Sequence, residues 1–263
     1  MGVRRIYKFS WGKHNLELGV NTCIMGILNV TADSFSDGGR YFTVKAALAQ
    51  GKKLVEDGAD ILDIGGESTR PFSDAVSAEE EIRRVVPVIE ELASCISIPI
   101  SIDTTKAKVA KRAIQAGAAI INDVGSLWLD SAMADVAAEN EVPVVLMHML
   151  GTPKTMQISP VYGDLIGEIR AFLKNAIADA EKRGISRSKV IVDPGIGFGK
   201  TVEHNLTRFN SFMNSIPWMH LFLRDLHENH SYGKFSMVDP RKISNLIRLK
   251  WKSVLKPQSV LQY

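Results

Sequence analysis

The sequence predicts an α/β fold, a TIM (β/α)8-type barrel with six recognisable strands and an aberrant carboxyl-terminal tail. From Thr22 onward, short apolar and partly β-branched runs alternate with longer segments of helical periodicity. Strands that alternate with helices of this length form parallel βαβ units. The chain has 263 residues and is 45% hydrophobic, which is enough for one barrel of roughly 250 residues.

The predicted elements follow one another in a regular order. The six predicted strands are Cys23 to Val30, Ile61 to Gly65, Ile98 to Asp103, Ile120 to Asp123, Val142 to Met149 and Val190 to Asp193. The five predicted helices are Val44 to Glu56, Ala78 to Ala93, Lys106 to Ala116, Ser131 to Asn140 and Asp164 to Arg183. Ahead of them, Val3 to Leu18 reads as a short β-ribbon, which we expect to plug the bottom of the barrel.

A doubly wound open sheet is the competing fold. Such a sheet would usually carry a GxGxxG turn after its first strand. Here the first strand is followed by Thr31-Ala-Asp-Ser-Phe-Ser-Asp-Gly-Gly39. The barrel is therefore the prediction.

Composition excludes several classes of protein. Cys23 and Cys95 lie in apolar runs without CxxC spacing, so we expect neither a disulfide scaffold nor a zinc site, and we expect a reducing, cytoplasmic location. No apolar run approaches the roughly 18 residues that span a bilayer. The basic start of the chain lacks the apolar stretch of a signal peptide. No membrane partner is predicted.

The charge changes near Thr207. Residues 207–263 contain nine Lys and Arg against three Asp and Glu, a net charge of +6, and the whole chain carries +3, so residues 1–206 carry −3. We therefore predict a barrel domain over 1–206 and a basic tail over 207–263. Trp218 and Trp251 stand far apart in this tail without a stacking motif, so a nucleic-acid partner is not predicted.

Each predicted strand carries a polar residue near the point where the chain turns toward its helix. These residues are Asn29, Asp63, Asp103, Asn122, His148 and Asp193. In a TIM barrel the carboxyl ends of the strands build the active site. Polar side chains in those places are therefore candidates for chemistry.

Six ordered segments resemble the motifs of dihydropteroate synthases. The two longest are Met25-Gly-Ile-Leu-Asn-Val-Thr-Ala-Asp-Ser-Phe-Ser-Asp-Gly-Gly39 and Asp63-Ile-Gly-Gly-Glu-Ser-Thr-Arg-Pro71. The others are Ile100-Ser-Ile-Asp-Thr104, Ile121-Asn-Asp-Val124, Leu146-Met-His-Met-Leu-Gly-Thr-Pro-Lys-Thr-Met156 and Asp193-Pro-Gly-Ile-Gly-Phe-Gly-Lys200. The resemblance covers about residues 20–206 and implies a transferase of folate biosynthesis. Such an enzyme joins para-aminobenzoate to a hydroxymethyl-dihydropterin pyrophosphate, and a homodimer is the candidate assembly.

The resemblance also implies which residues bind the pterin. Asp103, Asn122 and Asp193 match family positions that bond it, and carboxylates and amides suit a row of N–H donors. The alternative is that they only cap the helices that follow. Phe198 matches an aromatic beside the pterin, with an ordinary core phenylalanine as the alternative. Strand alternation turns Asp123 away from Asn122, so we expect Asp123 to be structural.

The remaining assignments concern the pyrophosphate and its metal ion. Asn29 resembles the residue that contacts the Mg²⁺ held by the substrate pyrophosphate, and a turn-forming asparagine is the alternative. Thr69 and Arg70 match residues of a mobile loop that act on the substrates, and a guanidinium suits phosphate oxygens. A solvated loop without effect on turnover is the alternative. No strong general base is required for the carbocation-like reaction proposed for the family.

Two histidine groups receive a structural interpretation. His148 is expected to be a satisfied barrel histidine more than a base. The segment His227-Glu-Asn-His230 is one residue short of the HExxH zinc motif and is rejected as a metal site.

After Leu206 the resemblance stops. The Ser-Arg-Lys turn and the final Arg-x-His of the family are absent, and six strands would leave two unpaired barrel edges. Reading possible codons of the tail from their third base permits G-P-S-R-K over residues that begin at Arg224, so a frameshift near Thr207 is a hypothesis. Three rival interpretations follow: a pterin-binding protein without turnover, a corrinoid-dependent methyltetrahydrofolate methyltransferase, and a nonfunctional frameshift product.

Overall fold

The computed structural model describes residues 6–18, 23–31, 39–67, 75–152, 155–156, 160–201, 204 and 234–237. Its strands are β1 Tyr7–Trp11, β2 His14–Leu18, β3 Cys23–Asn29, β4 Ile61–Gly65, β5 Ile100–Asp103, β6 Ile120–Asp123, β7 Val144–Met147, β8 Val190–Asp193 and β9 Lys234–Met237. Its helices are α1 Gly39–Glu56, α2 Ala78–Cys95, α3 Ala107–Gln115, α4 Met133–Glu139 and α5 Leu165–Lys182, with a 3-10 turn at Arg187–Lys189.

The central sheet contains the six predicted strands in chain order. Strands β3 to β8 are parallel, and each pairs with the next one along the chain. A helix lies between successive strands from β3 to β8. This sequential parallel order is that of a TIM-type α/β barrel, and it confirms the predicted fold class. The largest difference in bounds is that α1 begins at Gly39, five residues before the predicted start at Val44.

The expectation of two unpaired sheet edges is wrong for one edge, whereas β8 is the last strand at the other edge among the described residues. Strand β9, Lys234–Met237, pairs antiparallel with β3, so that Cys23 lies opposite Met237 and Gly26 opposite Lys234. The β3 edge is therefore paired. The physical reason is that an edge strand offers a row of unpaired N–H and C=O groups to any extended segment within reach. The tail sequence around this run has no βα pattern that would have announced a strand.

The outer face of the sheet is buried under the helices. Leu62, Ile102 and Leu146 alternate with the inward side chains of their strands and pack into one large apolar cluster with the helices. Helix α2 shows how the sequence builds this layer: Ser77 caps its first turn by accepting the N–H of Glu80, and its apolar side is buried. Most of the core lies in this layer between sheet and helices.

The inner face is closed at its amino end by the β1–β2 hairpin. Four hairpin side chains, Phe9, Trp11, Leu16 and Leu18, pack against inward side chains near the amino ends of the strands, Cys23, Met25, Ile61, Ile120, Val145 and Ile191. The Trp11 indole N–H also donates to the Ala119 carbonyl at 2.8 Å. The prediction of a β-ribbon that plugs the bottom of the barrel is confirmed over these residues.

Both cysteines are free thiols, Cys23 buried and Cys95 exposed. Among the described helices, none combines the length and the apolar character that a bilayer crossing requires.

Candidate functional site

The inner face of the sheet changes character along each strand. Ile61, Ile120 and Ile191 form the apolar floor, and two residues further along the same strands lie Asp63, Asn122 and Asp193. Because side chains alternate with a period of two, these polar residues face the same interior as the isoleucines. All three are buried, with exposures of 2%, 6% and 2%. The strand ends therefore place a polar layer above an apolar floor.

Three of the predicted site residues lie side by side in this layer. The register aligns Asn29 with Gly65, Gly65 with Asp103, and Asp103 with Asn122 across four neighbouring strands. Gly65 has no side chain, and a Cβ added there would lie 3.5 Å from both Asn29 Oδ1 and Asp103 Oδ2. The absence of a side chain at Gly65 thus leaves a gap between the amide oxygen of Asn29 and the carboxylate of Asp103.

The amide of Asn122 is oriented by Asp63. Asn122 Nδ2 donates to Asp63 Oδ2 at 3.1 Å, and both side chains are buried. This bond uses an N–H of the amide and leaves its oxygen to accept from another donor. Asp63 is one of the polar residues predicted at the strand ends, but it is not among the predicted site residues. Its place two residues after Ile61 was the signal that could have found it.

Asp103 does not cap the helix that follows it, whereas Asp123 binds the backbone of the turn that follows it. Helix α3 has its N-cap at Lys106, and Asp130 accepts the N–H of Ala107, so Asp103 does not cap that helix. Asp123 faces outward and accepts the N–H groups of Gly125 at 2.8 Å and Leu127 at 2.7 Å. Burial raises the pKa of Asp123 to about 6, against the effect of these two bonds. The prediction that Asp123 is structural is confirmed.

Asp193 begins a glycine-rich turn that folds back onto the end of β7. Its Oδ1 accepts the N–H of Gly195 at 2.7 Å, and its carbonyl accepts the N–H of His148 at 2.8 Å. Gly195 has a φ of +65°, and a Cβ there would lie 2.0 Å from the His148 carbonyl oxygen. Only glycine fits this position, because both the backbone conformation and the close approach exclude a side chain.

Phe198 lies in an apolar cluster at the carboxyl end of the strands. The ring is 6% exposed and packs with Val124, Met147, Met149 and Met156. Met147 pairs in register with Asp193, on the inner face of the sheet. Phe198 therefore belongs to an apolar wall at the same end as the polar layer, and its contact with a pterin stays a prediction.

His148 is a satisfied buried histidine, as expected. Burial, and secondly the charge of Lys200, lower its pKa to about 3. Its Nδ1 lies 3.1 Å from Lys200 Nζ, and its ring makes an edge contact with Phe172 at a centroid distance of 5.0 Å. A neutral imidazole with so low a pKa is a poor general base.

Thr69 and Arg70 lie outside the described residues, as does the segment His227 to His230. Residues on either side of Thr69 and Arg70 are described, however. Glu67, before them, accepts the N–H of Val76, after them, at 3.0 Å. Glu67 also forms an ion pair with Lys106, whose Nζ lies 2.7 Å from Glu81 Oε2. This cluster was not predicted, because no local pattern relates its three charged residues.

The residues around Asn29 fit a metal ion that arrives with its own anionic ligands. Asn29 is exposed at the end of β3 and offers one amide oxygen, a suitable ligand for a hard cation. Among the described residues, no group of three or more His, Cys, Asp or Glu side chains is arranged to hold a metal ion. A magnesium ion here would take most of its ligands from a phosphate and from water.

Comparison with known proteins decides which family this arrangement represents. The sequence profile of the pterin binding enzymes matches residues 25–219. The chain belongs to the pterin binding enzyme family. The match begins within β3 and includes the ends of all six parallel strands, and so it includes every predicted site residue.

Within this pterin binding family, the chain is similar to several dihydropteroate synthases. The Synechocystis enzyme is 47% identical over 199 residues, which are 76% of this chain and 66% of the relative. A Xanthomonas albilineans dihydropteroate synthase structure with 4-aminobenzoic acid has a TM-score of 0.69 at 46% identity, covering 76% of this chain and 72% of the other. The same organism's enzyme in complex with 7,8-dihydropteroate has a TM-score of 0.62 at 45% identity, covering 73% and 66%. The chain spans about two thirds of the length of the Synechocystis relative.

Proposed function

We propose that this chain is a dihydropteroate synthase that condenses para-aminobenzoate with hydroxymethyl-dihydropterin pyrophosphate, with release of pyrophosphate. The observation that carries the proposal is the row of Asn29, Asp103 and Asn122 in register at the strand ends. This row lies in a chain 47% identical to the Synechocystis dihydropteroate synthase. The homodimer and the cytoplasmic location stay predictions.

The polar layer suits the edge of a pterin. A pterin presents N–H donors beside ring acceptors, and a dry slot must match both. Asp103 and Asp193 supply carboxylate acceptors, and Asn122 supplies an amide oxygen whose orientation is fixed by Asp63. Charge-assisted bonds from a guanidine-like edge to carboxylates are stronger than neutral ones. Phe198 and its methionine neighbours give the slot an apolar wall.

The pyrophosphate end of the substrate would lie toward Asn29. Asn29 would hold the magnesium ion of the substrate from the protein side, together with phosphate oxygens and water. When bound, this ion neutralises charge on the departing pyrophosphate. Thr69 and Arg70 are proposed to contact the substrates from the segment after β4, with the guanidinium on phosphate oxygens.

The reaction breaks the bond between the pterin methylene carbon and the pyrophosphate oxygen. The leaving pyrophosphate takes the electron pair, the arylamine nitrogen then bonds to the methylene carbon, and one amine proton is lost to solvent. The role of Asp103, Asn122 and Asp193 is to hold and orient the pterin while this happens. His148 is a poor base, which agrees with a reaction that needs none.

Binding of a pterin without turnover is the second candidate, and two observations favour it. Residues 207–263 lack the Ser-Arg-Lys and Arg-x-His motifs expected from the resemblance. In addition, antiparallel β9 occupies the edge of β3 that a closed parallel barrel gives to its last strand. A frameshift near Thr207 stays our hypothesis for the origin of this tail. The corrinoid-dependent methyltransferase gains no support from the similarity to the Synechocystis and Xanthomonas albilineans synthases.

Pteroic acid binding tests the assignment of the polar layer. We expect Asp103→Ala and Asp193→Ala each to weaken its affinity about tenfold, because each change leaves a buried donor of the ligand unpaired at a cost of about 1–3 kcal/mol. Calorimetric titration measures the affinity, and Asp135→Ala on the surface of α4 is the matched control. Unchanged binding in both variants would remove these aspartates from the site.

Turnover separates the two candidate functions. Dihydropteroate formation is assayed with magnesium for the natural chain and for a variant whose reading frame is restored at Thr207. We expect the natural chain to turn over about ten- to a hundredfold more slowly than the restored variant, because one missing charged contact to the substrate costs about 1.5–3 kcal/mol. Equal turnover by the two proteins would contradict this expectation and would favour the synthase over the binding protein. The nucleotide sequence across Thr207 tests the frameshift directly.

A further inference from the structure

Lys200 ends the glycine-rich turn and has its ammonium group inside the protein. The residue is 5% exposed. Its Nζ donates to the carbonyl oxygens of Gly195 at 2.8 Å and Phe198 at 3.0 Å, within the turn itself. It also lies 3.1 Å from His148 Nδ1 and 3.3 Å from the His148 carbonyl oxygen. An ammonium group has three N–H donors, and these acceptors engage all of them.

Through these bonds the Lys200 ammonium group joins the glycine-rich turn to His148, which follows β7. Gly195 is held twice, because its carbonyl accepts from Lys200 and its N–H donates to Asp193. The carbonyl of Phe198, whose ring forms the apolar wall, accepts from the same ammonium. Lys200 therefore bonds to the backbone of Phe198 and to that of Gly195, which is itself bonded to the Asp193 carboxylate.

The pKa values of Lys200 and His148 are both lowered in this buried contact. Burial lowers the pKa of Lys200 to about 7, and the charge of Asp193 acts in the opposite direction. The pKa of His148 is lowered to about 3, so its ring is neutral near pH 7. An ammonium group can only donate, so when Lys200 is charged the neutral His148 ring accepts at Nδ1 and carries its proton on Nε2.

We propose that Lys200 is a positioning residue of the pterin site: its ammonium group holds the turn from Pro194 to Gly199 against His148, and thereby fixes Asp193 and Phe198 for the pterin. The proposal rests on the proposed function. Its physical basis is that a displacement of about 1 Å in a positioning group can cost about a hundredfold in rate. The alternative is that the Lys200 side chain only fills space. In that case a methionine of similar length would serve equally well.

The test compares Lys200→Met with Lys111→Met, which removes an exposed lysine of α3 and serves as the control. Pteroic acid affinity is measured by calorimetric titration, and folding is followed by circular dichroism and urea unfolding. We expect Lys200→Met to lose about tenfold or more in affinity, because three carbonyl oxygens and one imidazole nitrogen lose this donor and the turn that carries Asp193 and Phe198 is released. We expect the control to bind like the natural chain. Equal affinity in a folded Lys200→Met variant would overturn the proposal.

A second measurement on the natural chain applies even if Lys200→Met does not fold. The ¹⁵N signals of the His148 ring, assigned by their loss in His148→Gln, report whether Nδ1 accepts a hydrogen bond. We expect an unprotonated, hydrogen-bonded Nδ1 whose signal moves when pteroic acid is added. A protonated Nδ1, or a signal indifferent to the ligand, would overturn the role of Lys200. Failure of the natural chain to bind pteroic acid would count against the proposed function instead.

Discussion

The two ends of the parallel strands enclose interiors of opposite character. At the amino ends, Ile61, Ile120 and Ile191 meet the hairpin residues Phe9 and Trp11 in an apolar cluster. At the carboxyl ends of the same strands, the inner face carries carboxylates and amides that bond to one another and to backbone groups. The contrast shows that the length of one short strand is enough to separate an apolar part that stabilises the fold from the polar part to which we assign binding.

A substitution at the amino ends should have the largest effect on stability. Trp11→Ala removes a side chain that is 4% exposed and donates to Ala119. We expect a loss of about 3–5 kcal/mol in the free energy of unfolding, from lost burial and the cavity left behind. Urea unfolding followed by circular dichroism measures it. Ile6→Ala is the control, because that side chain is 56% exposed; equal losses would mean that the hairpin does not seal the barrel.

The second largest effect on stability should come from the ion cluster of Glu67, Glu81 and Lys106, which lies outside the polar layer. Lys106→Met leaves the carboxylate of Glu81, which is 0% exposed, without its cation. Burial by itself would lower the pKa of Lys106, but hydrogen bonds and charges of Glu67 and Glu81 raise it. We expect a loss of about 3 kcal/mol in unfolding free energy.

The matched control for this cluster is Lys108→Met. Its ion pair with Glu79 joins side chains that are 64% and 69% exposed, and solvent screening leaves such exposed pairs with little effect on stability. Urea unfolding compares the two variants. A loss as small for Lys106→Met as for Lys108→Met would contradict the buried cluster.

A substitution within the polar layer should change binding more than stability. Asn122→Ala removes the amide whose N–H donates to Asp63. We expect pteroic acid affinity to fall about tenfold, equivalent to about 1.4 kcal/mol. Asn15→Ala in the hairpin is the control, because it lies at the opposite end of the barrel. If both variants bind equally well, the assignment of binding to the carboxyl ends is wrong.

The last expected effect concerns the pH dependence of stability, through the outward carboxylate of β6. The pKa of Asp123 is raised from 3.8 to about 6 in the folded chain, so the folded state holds a proton that the unfolded state releases between these values. Stability contributed by this group is therefore present below about pH 4 and decreases as pH rises toward 6. We expect Asp123→Asn to flatten this part of the profile of melting temperature against pH. An unchanged slope between pH 4 and 6 would contradict the assignment.

Most of the fold followed from local patterns. The six parallel strands and the alternation of Asn122 and Asp123 could be predicted, because burial on both faces leaves apolar runs and a period of two. The β1–β2 ribbon was also predicted. Strand β9 was not, since an edge strand pairs through backbone groups that any sequence possesses.

The candidate site divides in a similar way. The sequence by itself determined which polar residues stand at the strand ends, because turn positions and motif order are local properties. The alternation of side chains along each strand then predicts that these residues face the same interior. Only the tertiary structure decided their partners: Asp63 for Asn122, His148 for Lys200, and Glu81 for Lys106. These pairs are 59, 52 and 25 residues apart. Their hydrogen bonds exist only because parallel strand pairing brings distant turns to the same end of the barrel, and no local pattern encodes that meeting.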